Sequence, residues 1–529
     1  LRTPDKSHLQ NFTRNDFPQL FIYIRARKPN FMQQTSPQKP LLRQELSLLD
    51  GTMIVAGSMI GSGIFIVSSD IVRNVGSAGW LIFIWALTGV ITLIAALSYG
   101  ELSAMFPNAG GQYVYLRKAY GRLVAFLYGW SSFMVIQTGT IAAVGVAFAK
   151  FTAYLFPVVS ESHILFQLGI FKLTAAQLVA ISTIVFLTWL NSRGVRDGKI
   201  TQTILTLVKI FSIGGLVILG LTSGFDRAVW DANWNGAWQS MQWDSSTQSA
   251  TEIFGAFIFA GIVSAMVGSI FSSDAWNNVT FIAGEMKNPR KNVGLSLFLG
   301  VFTVTIIYLA VNLMYLATLS LSEIAFAPSD RVAIASAQKI FGPVGTTIIA
   351  VMVMISTFGC NNGLILAGSR VYYTMAQDGL FFKKAGRLNQ QGVPAWGLWI
   401  QCVWASILCL TGRYGDLLNY VIFVVLVFYA LTIAGIFILR KKYPTMDRPY
   451  KAIGYPVVPF LYVLIALTIG IGLLIYQPTY TWPGFVIILL GLPVYHLWNR
   501  NSTPAGKSSP QNEAGPHPEG WGPAHDQVI

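Results

Sequence analysis

The chain has 529 residues, 53% of them hydrophobic and only 11% charged, with a formal net charge of +14. Soluble domains carry roughly a quarter charged residues, so a water-facing globular protein is excluded. Apolar runs recur along the whole chain, each long enough for ~30 Å of hydrocarbon, and predict a polytopic helical membrane protein; the period-two alternation of a membrane barrel is missing.

Residues 1–45 are polar and basic and read as a cytoplasmic N-terminal segment, partly disordered. Twelve spans follow, at 46–72, 79–105, 120–156, 171–190, 200–222, 250–283, 293–319, 338–368, 395–411, 416–439, 454–476 and 480–498. With both termini on the cytoplasmic side, 28 of the 36 Lys and Arg fall inside and 7 outside. That bias is the positive-inside signature of a multi-pass protein of the cell membrane. It accounts for the excess charge without nucleic acid.

Span one contains "GSMIGSGIFI", residues 57–66. Glycine inside a helix costs about 1 kcal/mol relative to alanine, so this stretch predicts a broken helix. Close packing of small residues is the rival explanation. Span five, "ITQTILTLVKIFSIGGLVILGL", carries Lys209 about ten residues from its start, hence ~15 Å deep. A lysine stem of ~6 Å cannot bring that charge to water. Gln202, Thr206, Lys209 and Ser212 form one polar stripe, which must face the bundle interior. Four tryptophans (Trp230, Trp234, Trp238, Trp243) in the outer loop 223–249 suit an interfacial anchor.

Span six is interrupted by "IFSSDAWNNVTFIAGEMKNP", residues 270–289, with Asp274 among Ser272, Ser273, Asn277 and Asn278. Irregular backbone at membrane depth survives only where protein buries it or a wet cavity accepts it. Breaks in spans one and six, five apart, point to an inverted repeat with its site at the midplane. The first repeat is then 46–222 and the second 250–439, with two further helices over 440–500. At such breaks, freed N–H groups can hold a carboxylate and freed carbonyls an ammonium, which makes a zwitterion site. A fixed Lys209 ammonium beside the breaks can take the place of a sodium ion, bonding the carbonyls of the first break and the hydroxyls of Ser356 and Thr357 in "ISTFGCNNG", 355–363. Residues 501–529, rich in Pro, Gly and Ser, read as a disordered cytoplasmic tail.

Three cysteines, all in apolar segments, and five scattered histidines show no zinc or nucleophile–histidine spacing. An enzyme, a metal and a cofactor are therefore not expected. A channel would need a continuous lined pore, which a closed midplane site does not provide.

The motifs "GSMIGSGIF" (57–65), "GELSAMFPNAGGQYVYLRKAYG" (100–121), "VKIFSIGGL" (208–216), "AWNNVTFIAGEMKNPRKN" (275–292), "STFGCNNGLILAGSR" (356–370) and "PYKAIGYPVVP" (449–459) resemble the amino acid–polyamine–organocation transporters. The closer likeness is to the L-type amino acid transporter branch and its bacterial exchangers, over residues 44 to 498. The resemblance implies an all-α membrane protein with the LeuT-type five-plus-five inverted repeat. It implies Ser58, Met59, Gly61, Ser62 and Gly63 at the substrate carboxylate, and Phe271 as an aromatic gate. The carbonyls of Phe271, Ser272 and Asp274 would take the α-amino group, and Lys209 would replace sodium. Ser273 and Ala275 stand where the family has tyrosine and glycine, so the side-chain pocket is altered. The family's mammalian members tether a glycoprotein through an outer-loop cysteine; "PVVSESHILFQLGI", 157–170, has none, so no disulfide-linked heavy subunit is expected. The expected function is sodium-independent exchange of neutral L-amino acids across the lipid bilayer. Proton-coupled uptake, and a carrier of cationic amino acids or polyamines with Asp274 as counter-ion, stay open.

Overall fold

The first predicted span is two helices, α1 (Leu48–Met59) and α2 (Gly63–Val75), bent by 43° across residues 60–62. A Ser47–Asp50 capping box starts α1, serving amides that a helix leaves open at its start. Gly76, left-handed at φ 70°, ends α2. This computed structural model describes residues 44–168, 171–244, 246–411 and 414–501. The expectations for residues 1–43 and 502–529 lie outside the described residues.

The second span is α3 (Ala78–Met105), followed by a short α4 (Gln112–Tyr120) that sequence reading passed over. The third, α5 (Arg122–Leu155), is one crossing with a π segment at Ser132–Ile136. Thr138 Oγ1 donates there to the Phe133 carbonyl, five residues back, at 2.6 Å, as a widened turn requires. The fourth span begins later than predicted. Residues 171–174 belong to a hairpin of β1 (Ile164–Leu168) and β2 (Phe171–Thr174), and a Thr174–Gln177 capping box opens α6 (Ala175–Ser192). α7 (Val195–Thr222) is the fifth.

The 223–249 loop holds α8 (Arg227–Trp234) and one strand of a second hairpin, β3 (Met241–Asp244) with β4 (Ser249–Glu252). The sixth span consequently starts near 256, not 250: Gly255 at φ 57° turns the chain from β4 into α9 (Ala256–Ser272). Only Trp238 of the four tryptophans is exposed. Trp243 Nε1 donates to the Gly76 carbonyl at 3.2 Å, and Trp230 and Trp234 pack on each other. Trp230, Trp234 and Trp243 pack their rings partly against the protein, while Trp238 is exposed.

Beyond α10 (Asn278–Phe281) come α11 (Pro289–Thr318), the short α12 (Leu321–Ala325) and α13 (Val332–Gln377). α13 is kinked at Gly342–Pro343, where proline lacks the N–H for the helical ladder. α14 (Ala395–Thr411), α15 (Tyr414–Lys442), α16 (Val457–Tyr476) and α17 (Pro478–Asn501) complete the fold. Among the described residues, nine helices are long and apolar enough to cross a membrane; the bent α1–α2 pair makes ten. Apart from two small hairpins the protein is helical, and it is a multi-pass membrane protein.

Two ion pairs, each with a fully buried carboxylate, hold the quoted motifs together. Glu101 accepts from Arg440 Nη2 at 2.7 Å and from the Ala452 amide at 2.7 Å. Glu285, just past the sixth-span break, accepts from Arg370 Nε at 2.9 Å with both side chains fully buried. A buried charge is tolerated when it is paired and hydrogen-bonded like this.

Candidate functional site at the two broken helices

Residues 60–62 leave the ladder of α1, so their carbonyls need donors from elsewhere. Lys209 of α7, 2% exposed, is one of these donors. Its Nζ donates to Gly57 O at 2.8 Å, Ile60 O at 2.8 Å and Ser356 O at 3.0 Å. Ser356 Oγ reaches Ile60 O at 3.1 Å and Gly61 O at 3.2 Å. Cys360, one turn further along α13, gives its thiol hydrogen to Ser58 O at 2.8 Å. The Tyr308 hydroxyl of α11 lies 2.9 Å from Met59 O and 2.9 Å from Ser272 O, bridging the two breaks. Every carbonyl from Gly57 to Gly61 thus has a donor.

The amide side of the same break is different. Ser62 stands before α2 with no side-chain cap, and the amides opening a helix lack intrahelical acceptors. They carry the positive end of the helix dipole. Of this turn, the Phe65 amide bonds Ser62 O at 3.1 Å.

The glycines answer a steric need. None of Gly57, Gly61 and Gly63 has a left-handed φ. A Cβ at Gly63 would overlap Ser272 Oγ on α9, and one at Gly57 would overlap Thr206 Oγ1 and Gln202 Nε2 on α7. At Gly61 it would sit 3.0 Å from Cys360 Sγ. Close packing and a break therefore coexist in one motif, where sequence reading had set them as rivals.

At the sixth span, the chain leaves α9 at Ser273 and Ala275 takes φ 64°, a value that only a few per cent of non-glycine residues adopt. Phe271 and Ser272 are buried in the last turn of α9. The Phe271 carbonyl already accepts the Asp274 amide at 3.1 Å and the Ser272 carbonyl the Tyr308 hydroxyl. Asp274 Oδ1 accepts from the Tyr429 hydroxyl at 2.5 Å. No Lys or Arg pairs with Asp274 among the described residues. The carboxylate faces a small polar cavity, with about 20 Å³ for water, shared by Gln112, Gln137, Thr140, Asn277 and Asn278. That is room for one or two water molecules. Asn278 Nδ2 is buried there without a partner.

The structure brings Met59, Gly61, Ser62, Gly63, Ser272, Lys209 and Ser356 into one neighbourhood. The Thr357 side chain stands apart, and Ser58 joins the break through its carbonyl and not its hydroxyl. Thr357 Oγ1 bonds its own helix at Val353 O (2.9 Å) and Met354 O (3.0 Å), because it points away from the break. The Ser58 hydroxyl is buried without a hydrogen bond, against Gly363 of α13. Of the polar stripe, Gln202, Thr206 and Lys209 are buried and Ser212 is half-buried. Sequence reading missed Tyr308, Cys360 and Tyr429. A signal existed for Tyr308: with Asn312 and Tyr315 it spaces i, i+4, i+7 in an apolar span. All three contact the broken helix, at Met59 O, Ser68 Oγ and Ile64 O.

Two broken membrane helices thus meet in one neighbourhood, and a buried ammonium bonds the carbonyls of the first. The family model for amino acid permeases matches residues 46–493, and the chain belongs to that family. It is 30% identical over 478 residues to the human (Homo sapiens) b(0,+)-type amino acid transporter 1, covering 88% of this chain and 90% of that protein. To the mouse (Mus musculus) Asc-type amino acid transporter 1 it is 28% identical over 462 residues, covering 87% and 82%. The mouse large neutral amino acids transporter small subunit 2 is also 28% identical, over 463 residues, covering 86% and 81%. The family and these relatives are transporters, not enzymes.

Proposed function

We propose that this protein is a sodium-independent exchanger of neutral L-amino acids that works by alternating access in the cell membrane, with both termini cytoplasmic. Its scaffold on this reading is the twelve-helix LeuT-type fold, with inverted repeats over 46–222 and 250–439. Nine long helices, the bent pair and the two shorter apolar helices Ala256–Ser272 and Ala395–Thr411 support that count. The observation that carries the function is the donor set gathered at the first break. Its carbonyls are taken by Lys209, Ser356, Cys360 and Tyr308, and the break opens onto the N-terminal end of α2. A carboxylate suits that helix start, and an ammonium already fills the cation position. The substrate amine would go to the span-six carbonyls of Phe271, Ser272 and Asp274, which have a second lone pair each. Ser58, Met59, Gly61, Ser62 and Gly63 would surround the carboxylate. A relative whose name specifies large neutral amino acids supports the substrate class. All three thiols are buried, which supports function without a disulfide-linked subunit.

The test is uptake and counterflow in proteoliposomes with sodium replaced by choline. Transport that falls more than about tenfold, ~1.4 kcal/mol, refutes the sodium-independent reading. Leucine or alanine should compete, and amines without a carboxylate should not. Asp274 favours a second reading, a carrier of cationic amino acids, because its carboxylate lines the cavity with no cationic partner among the described residues. Competition by putrescine or agmatine as good as that by leucine would select it.

A further inference from the structure

The connection between α11 and α13 contains two consecutive non-glycine residues in the left-handed region, Ser329 at φ 54° and Asp330 at φ 61°. Such conformations persist only where the surroundings over-determine them, and they mark switch and clamp positions. Here the surroundings are ionic. Asp330 Oδ1 accepts from Arg73 Nη1 at 2.8 Å, and Oδ2 lies 3.8 Å from Lys150 Nζ. Arg73 ends α2, the half-helix beyond the first break, and also donates to Ala325 O at 2.8 Å. Lys150 lies in the last part of α5. The next residue, Arg331, donates Nη2 to Lys150 O at 2.8 Å and lies over the Tyr154 ring at 5.5 Å.

One carboxylate therefore ties the outward end of the broken first span to the last part of the third. From these contacts we infer that Asp330 is a gating residue, a latch that must release for the outer side of the transport site to open. The inference rests on the alternating-access reading only in requiring α2 to move against α5. Charge holds the latch, and the backbone strain biases it to let go once the charge contact is lost. The contacts are half-exposed, at 22% for Arg73, 39% for Asp330 and 19% for Lys150. Water can thus replace them without stranding a buried ion. A permanent structural pair would be buried, as Arg370–Glu285 is.

The experiment uses thiol accessibility in the full chain in nanodiscs. Ser69 on α2, one turn before Arg73, is fully buried and bonds Ile66 O of its own helix, so Ser69→Cys places a near-isosteric, buried thiol on the half-helix that the latch holds. Cys360 lies at the first break and is replaced by serine; the buried Cys402 and Cys409 remain as internal controls. Asp330→Asn removes the charge while keeping a residue that tolerates the left-handed region. It should raise the rate of labelling of the Ser69→Cys thiol by a polar maleimide about tenfold, with the native thiols still protected. Lys150→Gln weakens the other arm and should raise it about threefold; it decides the matter if Asp330→Asn does not insert. Unchanged labelling overturns the inference, as does a rise shared by the native thiols, which would mean general loosening. Leucine added to the Ser69→Cys protein tests the transport reading separately: no effect of any amino acid on labelling counts against that reading while the latch result stands.

Discussion

Removing Lys209 is the most searching perturbation of the proposed site. The ammonium makes three bonds to carbonyls, each worth about 1.5–3 kcal/mol for a charged donor. Against this stands the several kcal/mol of desolvating an ammonium in the interior. The two largely offset, so Lys209→Ala should insert and fold. The carbonyls left behind are not equal. Ile60 O keeps Ser356 Oγ at 3.1 Å. Gly57 O has no substitute, because the Gly61 amide that would complete the helix there has turned to Met59 O at 2.8 Å. One stranded carbonyl costs about 1–3 kcal/mol, read as a modest fall in melting temperature. The effect on turnover should be larger. A contact worth ~1.5–3 kcal/mol in one conformation and absent in the other shifts their balance roughly ten- to a hundredfold. Exchange rates in proteoliposomes at matched protein level should drop by that factor. Lys209→Arg should recover little, since a planar fork does not fit three carbonyls gathered round a compact ammonium. Rates for Lys209→Ala within twofold of the parent would show the lysine to be structural and the cation-substitute mechanism to be wrong.

Three further outcomes are expected. Tyr308→Phe keeps the edge-on packing against Trp85 but removes the hydroxyl between the breaks, and should slow exchange several-fold with a melting temperature within a few degrees of the parent; an unchanged rate would deny the bridge a role. Gly57→Ala forces a Cβ onto Thr206 Oγ1 and Gln202 Nε2 and should cost about 1–3 kcal/mol, with partial recovery on adding Thr206→Ala; equal thermal unfolding of the single variant and the parent would contradict the close approach. Ser356→Ala strips Gly61 O of its hydroxyl donor but leaves Ile60 O with Lys209, so its transport defect should be smaller than that of Lys209→Ala, and the reverse order would rank the two donors differently.

The membrane architecture was legible because it depends on composition read locally. A run of apolar residues must become a helix in hydrocarbon, whatever its neighbours, and 395–411 is a helix over the same residues as predicted. The same logic exposed Lys209: a charge that cannot reach water needs partners inside. Which partners it finds was decided by packing. Three carbonyls from two other helices meet its ammonium, 147 to 152 residues distant in sequence. No pattern within α7 encodes them. Serine hydroxyls were expected round the lysine, yet Ser356 offers it a carbonyl and turns its hydroxyl to the break, and Thr357, one residue on, faces elsewhere. The starts of the fourth and sixth spans were misplaced because the residues before each helix pair in hairpins, and a hairpin is recognised only when its partner strand is in place. The glycines of "GSMIGSG" announced a special segment, but their reason is the side chain opposite each one. Period and hydropathy are properties of one segment and can be read from it; a steric or hydrogen-bonding partner belongs to two segments and exists only once both are folded together.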